Sequence, residues 1–179
     1  MDILKKAEVL EFAKSLSQIA EIDDHTFQYC IGHCYYHGYR IEQNYEYAVA
    51  LFKLSAEQEN PVALSYLAIC YEKGQGIKQD YKKAIKLYKS SAKQNYWLAF
   101  WNLGKMYHYE KGVDKNLEKA KEYYEKALEN SDKIDDYRKW AFKADWECLP
   151  VEKRGKEYFQ EEIDKIDAEL AELSPKQQS

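Results

Sequence analysis

Glycine and proline are scarce. The 179-residue chain has 7 Gly and 3 Pro, less than half the combined share of about 12% usual in globular chains. Few turns are punctuated, which argues against a many-stranded β sandwich and for long helices. Long apolar runs are missing too: none exceeds six residues, as at 47–52, against the roughly 20 a membrane span needs. The start, MDILKKAEVLEF, lacks the roughly 7–15-residue apolar core and the small-residue cleavage site of an export signal. A basic excess is also absent. Net charge is -4, divided as -3 over 1–24, +2 over 25–132 and -3 over 133–179. No strongly basic face is implied, so no nucleic-acid partner is expected. Four Cys with no export signal point to reduced thiols and a cytoplasmic location.

Aromatic side chains, by contrast, are abundant. The chain has 17 Tyr, 6 Phe and 4 Trp, 15% of its residues, although 32% are charged. That excess needs an explanation as core, binding surface or both. A shift of 36 residues supplies part of it. Ile31, Leu67 and Leu103 then align, as do Gly32, Ala68 and Gly104, and Tyr35, Tyr71 and Tyr107. Ile41, Ile77 and Val113 follow, then Asn44, Asp80 and Asn116, then Ala48, Ala84 and Ala120, and last Phe52, Tyr88 and Tyr124. A fixed period of this length marks an array of supersecondary units.

Each unit reads as two helices. Ala63, Leu64, Leu67, Ala68 and Tyr71 fill one face at 100° per residue. Asn60 suits the N-cap, with Pro61 at the first helical position, where a missing N–H costs little. Gly74-Gln75-Gly76 ends the helix, because glycine tolerates the left-handed φ of a helix stop. On that ground Gly76→Ala is expected to cost about 1 kcal/mol. Asp80 caps the second helix, as Asn44 and Asn116 do in their copies, and Ala84, Leu87, Tyr88 and Ala92 form its buried stripe.

These residues resemble a known family. The segment NPVALSYLAICYEKGQGIKQDYKKAIKLYKSSA, residues 60–92, is similar to a Sel-one-like (SLR) repeat, a relative of the tetratricopeptide repeat. The third copy keeps Leu103-Gly104, Tyr107, Gly112-Val113, Lys119-Ala120 and Tyr123-Tyr124. The first keeps Ile31-Gly32, Tyr35, Gly38, Ala48 and Ala56, and departs at Arg40, where the family has its second Gly. The resemblance implies an all-α, right-handed superhelical solenoid of three helix-hairpin repeats, at 26–59, 60–95 and 96–131. The whole is expected to be a single domain. An N-terminal capping helix is expected within 1–24, with Phe12, Leu16 and Ala20 inward. C-terminal capping helices are expected over 133–173, one carrying Tyr137, Trp140, Ala141, Ala144 and Cys148, the next Phe159, Ile163, Ile166, Leu170 and Leu173. That last stripe suits a cap, or a short dimer seam. Residues 174–179 read as a disordered tail.

Catalytic and metal chemistry finds little support. Cys30, His33, Cys34 and His37 share one helical stripe and are residue types that suit zinc. Their span of about 10.5 Å exceeds the roughly 4 Å within which tetrahedral ligands converge, so no metal or cofactor is expected. A further ligand would have to come from elsewhere, such as His108. Cys34 aligns with Cys70 and then Met106, a slot for soft apolar side chains. Neighbouring helices stand about 8–10 Å apart, beyond the ~7 Å Cα reach of a disulfide between Cys34 and Cys70. Ser90-Ser91 read as helix packing. Acidic pairs such as Asp23-Asp24, Asp135-Asp136 and Glu161-Glu162 diverge on a helix rather than converge. Gly74-Gln75-Gly76 follows no strand and is no phosphate cradle. The chain is not expected to be an enzyme.

A binding surface remains. The resemblance implies that the first helix of each pair lines a concave side. With Leu67 and Tyr71 taken as the buried direction, the opposite face carries Tyr29, His33, Tyr36 and His37 in the first copy. In the second it carries Tyr66, Ile69, Glu72 and Lys73, and in the third Trp101, Lys105, His108 and Tyr109. Tyr and Trp are enriched at interaction hot spots. The expected function is a non-enzymatic scaffold or adaptor that holds a protein segment in a shallow trough. Tyr29, Tyr36, Tyr66, Trp101 and Tyr109 would be its anchors; His33, His37, Glu72, Lys105 and His108 would set polar register. The alternative is that Tyr66, Trp101 and Tyr29 pack between neighbouring helices or against the caps. Two rival readings are a bacterial immunity protein that covers a toxin or effector, and a metal- or thiol-dependent enzyme around Cys30, His33 and His37.

Overall fold

A computed structural model describes residues 11, 24–39, 41–131 and 155–173. The helices expected around Phe12–Ala20 and Tyr137–Cys148, Arg40 and the tail 174–179 lie outside them. The described residues contain helices and no strand, in agreement with the all-α class read from the period. The order is α1 (Asp24–His37), α2 (Tyr45–Glu57), α3 (Pro61–Lys73), α4 (Tyr81–Ala92), α5 (Trp97–His108), α6 (Leu117–Asn130) and α7 (Gly155–Leu173). They fall into two compact units, Met1–Gln94 and Asn95–Ser179.

Local chemistry explains the boundaries. Each second helix begins at a polar cap in the same slot. Asn44 Oδ1 accepts from the Tyr47 N–H at 3.0 Å, Asp80 Oδ1 from Lys83 at 3.0 Å, and Asn116 Oδ1 from Lys119 at 2.8 Å. Each bond satisfies one of the donors a helix start leaves open. Asn60 caps α3 through the N–H groups of Val62 and Ala63, both at 3.0 Å. The loop inside each hairpin is closed by one recurring backbone bond. The N–H groups of Asn44, Asp80 and Asn116 donate to the carbonyls of Tyr35, Tyr71 and Tyr107 at 2.9, 2.9 and 3.0 Å. The 36-residue period is thus written into hydrogen bonds as well as residue types.

In unit 1, α1 pairs with α2, α3 with α4, and α3 also packs on α2. Fully buried Ala48 and Ala84 and the rings of Phe52 and Tyr88 fill the spaces within the hairpins. Ser91 Oγ donates to the Pro61 carbonyl at 2.7 Å and accepts from Ser65 Oγ at 2.9 Å, clasping α4 to the start of α3. Ser91 is therefore a packing residue. In unit 2, α5 pairs with α6, and α7 packs along α6. Gly104 is where the first pair meets most closely: a Cβ there would lie 2.6 Å from the Tyr124 ring, so the aromatic slot opposite requires the small one.

Candidate interaction surface

The first helices carry the residues read as anchors, and the structure buries most of them. In unit 1, Tyr66 of α3 sits among rings of α1: 6.0 Å from Tyr29, 5.1 Å from His33 and 5.8 Å from Tyr36. The Phe52 ring of α2 lies 5.4 Å away on another side. The Tyr66 hydroxyl and His33 Nε2 share a hydrogen bond at 3.1 Å. Tyr36 donates to Gln75 Oε1 at 2.8 Å. Tyr36 and Tyr66 are only 7% and 4% exposed. Glu72 is turned into its own hairpin, where it accepts from the buried Tyr88 hydroxyl at 2.8 Å.

Unit 2 repeats the theme with a different partner. Trp101 is 4% exposed, with its ring 4.8 Å from Tyr124 and 5.3 Å from Phe159 of α7. Phe159 also stands edge-on to Trp97 at 5.8 Å. His108 is buried and meets Glu169 Oε1 through Nε2 at 2.8 Å, while Glu169 Oε2 accepts from Lys115 at 2.9 Å. These bonds from His108 and then Lys115 hold the Glu169 carboxyl below its usual range. Lys121 pairs with Asp167 at 2.5 Å. In α7, Phe159, Ile163 and Ile166 are buried within unit 2. Leu173 at its end is exposed.

The anchors therefore do not form one open face. Tyr36, Tyr66, Glu72, Trp101 and His108 lie in layers between packed helices; they are buried, not presented. α7 stands to the α5–α6 hairpin as α3 stands to α1–α2: it packs along the second helix and lays an aromatic ring against the first. The slot of Tyr35, Tyr71 and Tyr107 escapes full burial in every copy, and so do two others four residues apart. These are His33 and His37, then Ile69 and Lys73, then Lys105 and Tyr109, each half-buried or exposed. Tyr109 is 52% exposed. Tyr29 is half-buried beside its ring partners. Sequence reasoning placed Phe159 on the inward stripe of the last helix without its Trp101 partner, and missed Tyr39, whose ring stacks on His37 at 5.1 Å, and Glu169 of α7. Only an aromatic followed by period-matched acids in the last helix could have signalled the latter.

Burial, and then the neighbouring His37, push His33 down to about 3. Burial, and then Lys73, push His37 down to about 4. Both rings are neutral near pH 7. In the unfolded chain they would take up protons from about pH 6.5 downward. Between those values the unfolded state binds more protons, so stability is full above about pH 6.5 and is lost as pH falls towards the folded values. The melting midpoint should drop from about pH 7 to about pH 5, and drop less in His33→Gln/His37→Gln. Equal pH slopes for the two proteins would show that the rings titrate normally.

Cys70 is fully buried, and burial pushes its thiol up to about 12, far from a reactive thiolate. Cys30, Cys34 and Cys70 are free thiols. Among the described residues no three His, Cys, Asp or Glu side chains gather to hold a metal ion. No helix among them is long and apolar enough to cross a membrane.

Comparison with known proteins agrees with the repeat geometry. The family model described as Sel1 repeat matches residues 27–60, 61–96 and 98–132. The chain belongs to the Sel1 repeat family. Sel1 repeats generally serve as protein-interaction scaffolds and are typically non-catalytic. One similar solved structure is a Sel1 repeat protein from Oxalobacter formigenes, 29% identical, with a TM-score of 0.56 over 72% of this chain and 56% of that one. Another is a protective antigen of uropathogenic Escherichia coli that displays an SLR fold, 26% identical, with a TM-score of 0.59 over 67% of this chain and 25% of that one. The chain thus spans about half and a quarter of the lengths of these two Sel1 proteins. No curated protein matches the sequence.

Proposed function

We propose that this Sel1 repeat chain is a non-catalytic adaptor that holds a protein segment against the first helices α1 and α3 of unit 1. The observation that carries the reading is repeat-wise. The pairs 33/37, 69/73 and 105/109 escape full burial in all three copies, while most other side chains of α3 and α5 are buried by stacking. In unit 1 the stripe offers His33 and His37, both neutral near pH 7, with Ile69 and Lys73. A segment with one apolar side chain for Ile69 and one carboxylate for Lys73 fits that chemistry. The Tyr39–His37 stack stiffens one edge. The three free thiols suit a reducing compartment such as the cytoplasm.

A photo-cross-linking residue placed at Ile69 or Lys73 should capture a partner protein in host extract, and one at the exposed Glu57 of α2 should not. Ile69→Asp/Lys73→Glu should lower partner affinity by about tenfold or more with an unchanged melt. Capture from position 57 that equals capture from 69, together with wild-type affinity in the double variant, would move the site elsewhere.

A further inference from the structure

We propose that two copies of this chain pair through their second helices, the lysine face of α4 in one copy seated on the glutamate face of α6 in the other. Lys82, Lys86, Lys89 and Lys93 recur at i, i+4, i+7 and i+11 along α4 and its C-cap, and all four are exposed. The nearest acid in sequence, Asp80, is occupied as the N-cap and pairs with Lys83 at 3.6 Å. Among the described residues none of the four lysines has an ion pair. One repeat further on, the equivalent positions are Glu118, Glu122, Glu125 and Glu129, again all exposed. Lys126 takes Glu122 locally. The same slots in the first repeat hold Glu46, Ala50, Lys53 and Glu57.

Three features favour a second copy as the occupant. The first repeat shows that the slots tolerate mixed residues, so the hairpin does not require one sign. Like charges at helical spacing weaken a helix rather than support it, so stability does not explain the lysine stripe, and on α6 a local ion pair accounts for Glu122 alone among the four glutamates. The two stripes also match each other slot for slot with the sign inverted. Their spacing, four, three, four, reads the same in both directions over about 16 Å, so lysines meet glutamates whether the helices run parallel or antiparallel. An anionic membrane, a nucleic acid or an acidic foreign protein would account for the lysines and leave the matched glutamates unexplained. The stripes lie on second helices, apart from the first-helix stripe assigned above to a partner segment. Exposed ion pairs are individually weak and screened by salt, so the pairing is modest in affinity and salt-sensitive.

The test is sedimentation velocity of the full chain with two charge-reversed variants. The wild type should dimerise at about 20 mM salt, with an association constant at least about tenfold lower at about 300 mM. K82E/K86E/K89E/K93E carries glutamates on both stripes, and E118K/E122K/E125K/E129K carries lysines on both. Each should be monomeric alone, and an equimolar mixture should form the heterodimer; circular dichroism checks that both are folded. A wild type that stays monomeric at low salt overturns the pairing, as does a mixture no more associated than its components. Self-association that survives both reversals places the contact elsewhere and overturns it too. Binding of α4 to anionic phosphatidylserine vesicles or duplex DNA, with no self-association, overturns it in favour of a membrane or nucleic acid.

Discussion

Gly76→Ala should lower stability by about 3 kcal/mol or more, roughly twice what its backbone conformation alone would cost. The residue sits at φ +68 in the loop after α3, and the left-handed region alone costs about 1–2 kcal/mol for a residue with a Cβ. A second, larger obstacle lies outside the loop. A Cβ on Gly76 would fall on the backbone carbonyl of Tyr45 and come within 2.8 Å of the Glu46 nitrogen. Both belong to the start of α2 in the preceding repeat. Backbone cannot swing aside as a flexible side chain does, so the loop and the helix start would have to separate. Gly74→Ala is the control. It shares the conformation, at φ +70, but its Cβ would meet only the Gln79 side chain and backbone, at 3.3 Å or more. Its loss should stay near about 1 kcal/mol. Urea unfolding of the two variants separates the terms; equal losses would show that the Tyr45 contact relaxes at no cost.

Trp101→Ala should cost about 3–5 kcal/mol of stability, and its effect should reach α7. The ring is wedged between Tyr124 and Phe159, and truncation opens a cavity that rigid helices fill only in part. Phe159 also loses one of its two tryptophan partners, so amide exchange through Ile163 and Ile166 should accelerate. As an anchor on an open face Trp101 would carry ~2 kcal/mol or more of partner affinity with the fold independent of it; a side chain 4% exposed leads to the opposite expectation. Tyr109→Ala, at an exposed position of the same hairpin, should change stability by less than about 0.5 kcal/mol. A Trp101 variant that melts like the wild type, with exchange in α7 unaltered, would mean that α7 is held by its ion pairs alone.

The period made the hairpins legible because each of its signals is local. Asn44, Asp80 and Asn116 cap helices within three residues of themselves, and Ala48, Ala84 and Ala120 vanish between helices of one hairpin. The open face was misplaced because a first helix in such an array is buried on two sides. Every residue from Val62 to Ala68 is buried, so α3 has no single apolar face from which the opposite one can be inferred. Leu67 and Tyr71 mark the side turned to its own partner helix; Tyr66 marks the side turned to the repeat before. The His108–Glu169 and Trp101–Phe159 contacts join residues 61 and 58 positions apart, outside any period. The inverted charges of α4 and α6 were hidden by averaging, because a segment of net charge +2 over 25–132 can hold two strong opposite stripes.

In standing where a further repeat's first helix would stand, α7 covers the third hairpin with a helix that is not itself part of a repeat. Its inward side speaks the language of a repeat, with Phe159, Ile163 and Ile166, while Glu161, Asp164 and Glu172 keep its outer side wetted. A stack of identical hairpins has no intrinsic reason to stop, and an unfinished end with Trp97 and Trp101 bare would recruit whatever apolar surface came next. Because the covering helix is distinct from the unit it covers, duplication of a hairpin upstream would lengthen the array and leave Trp97 and Trp101 covered by Phe159.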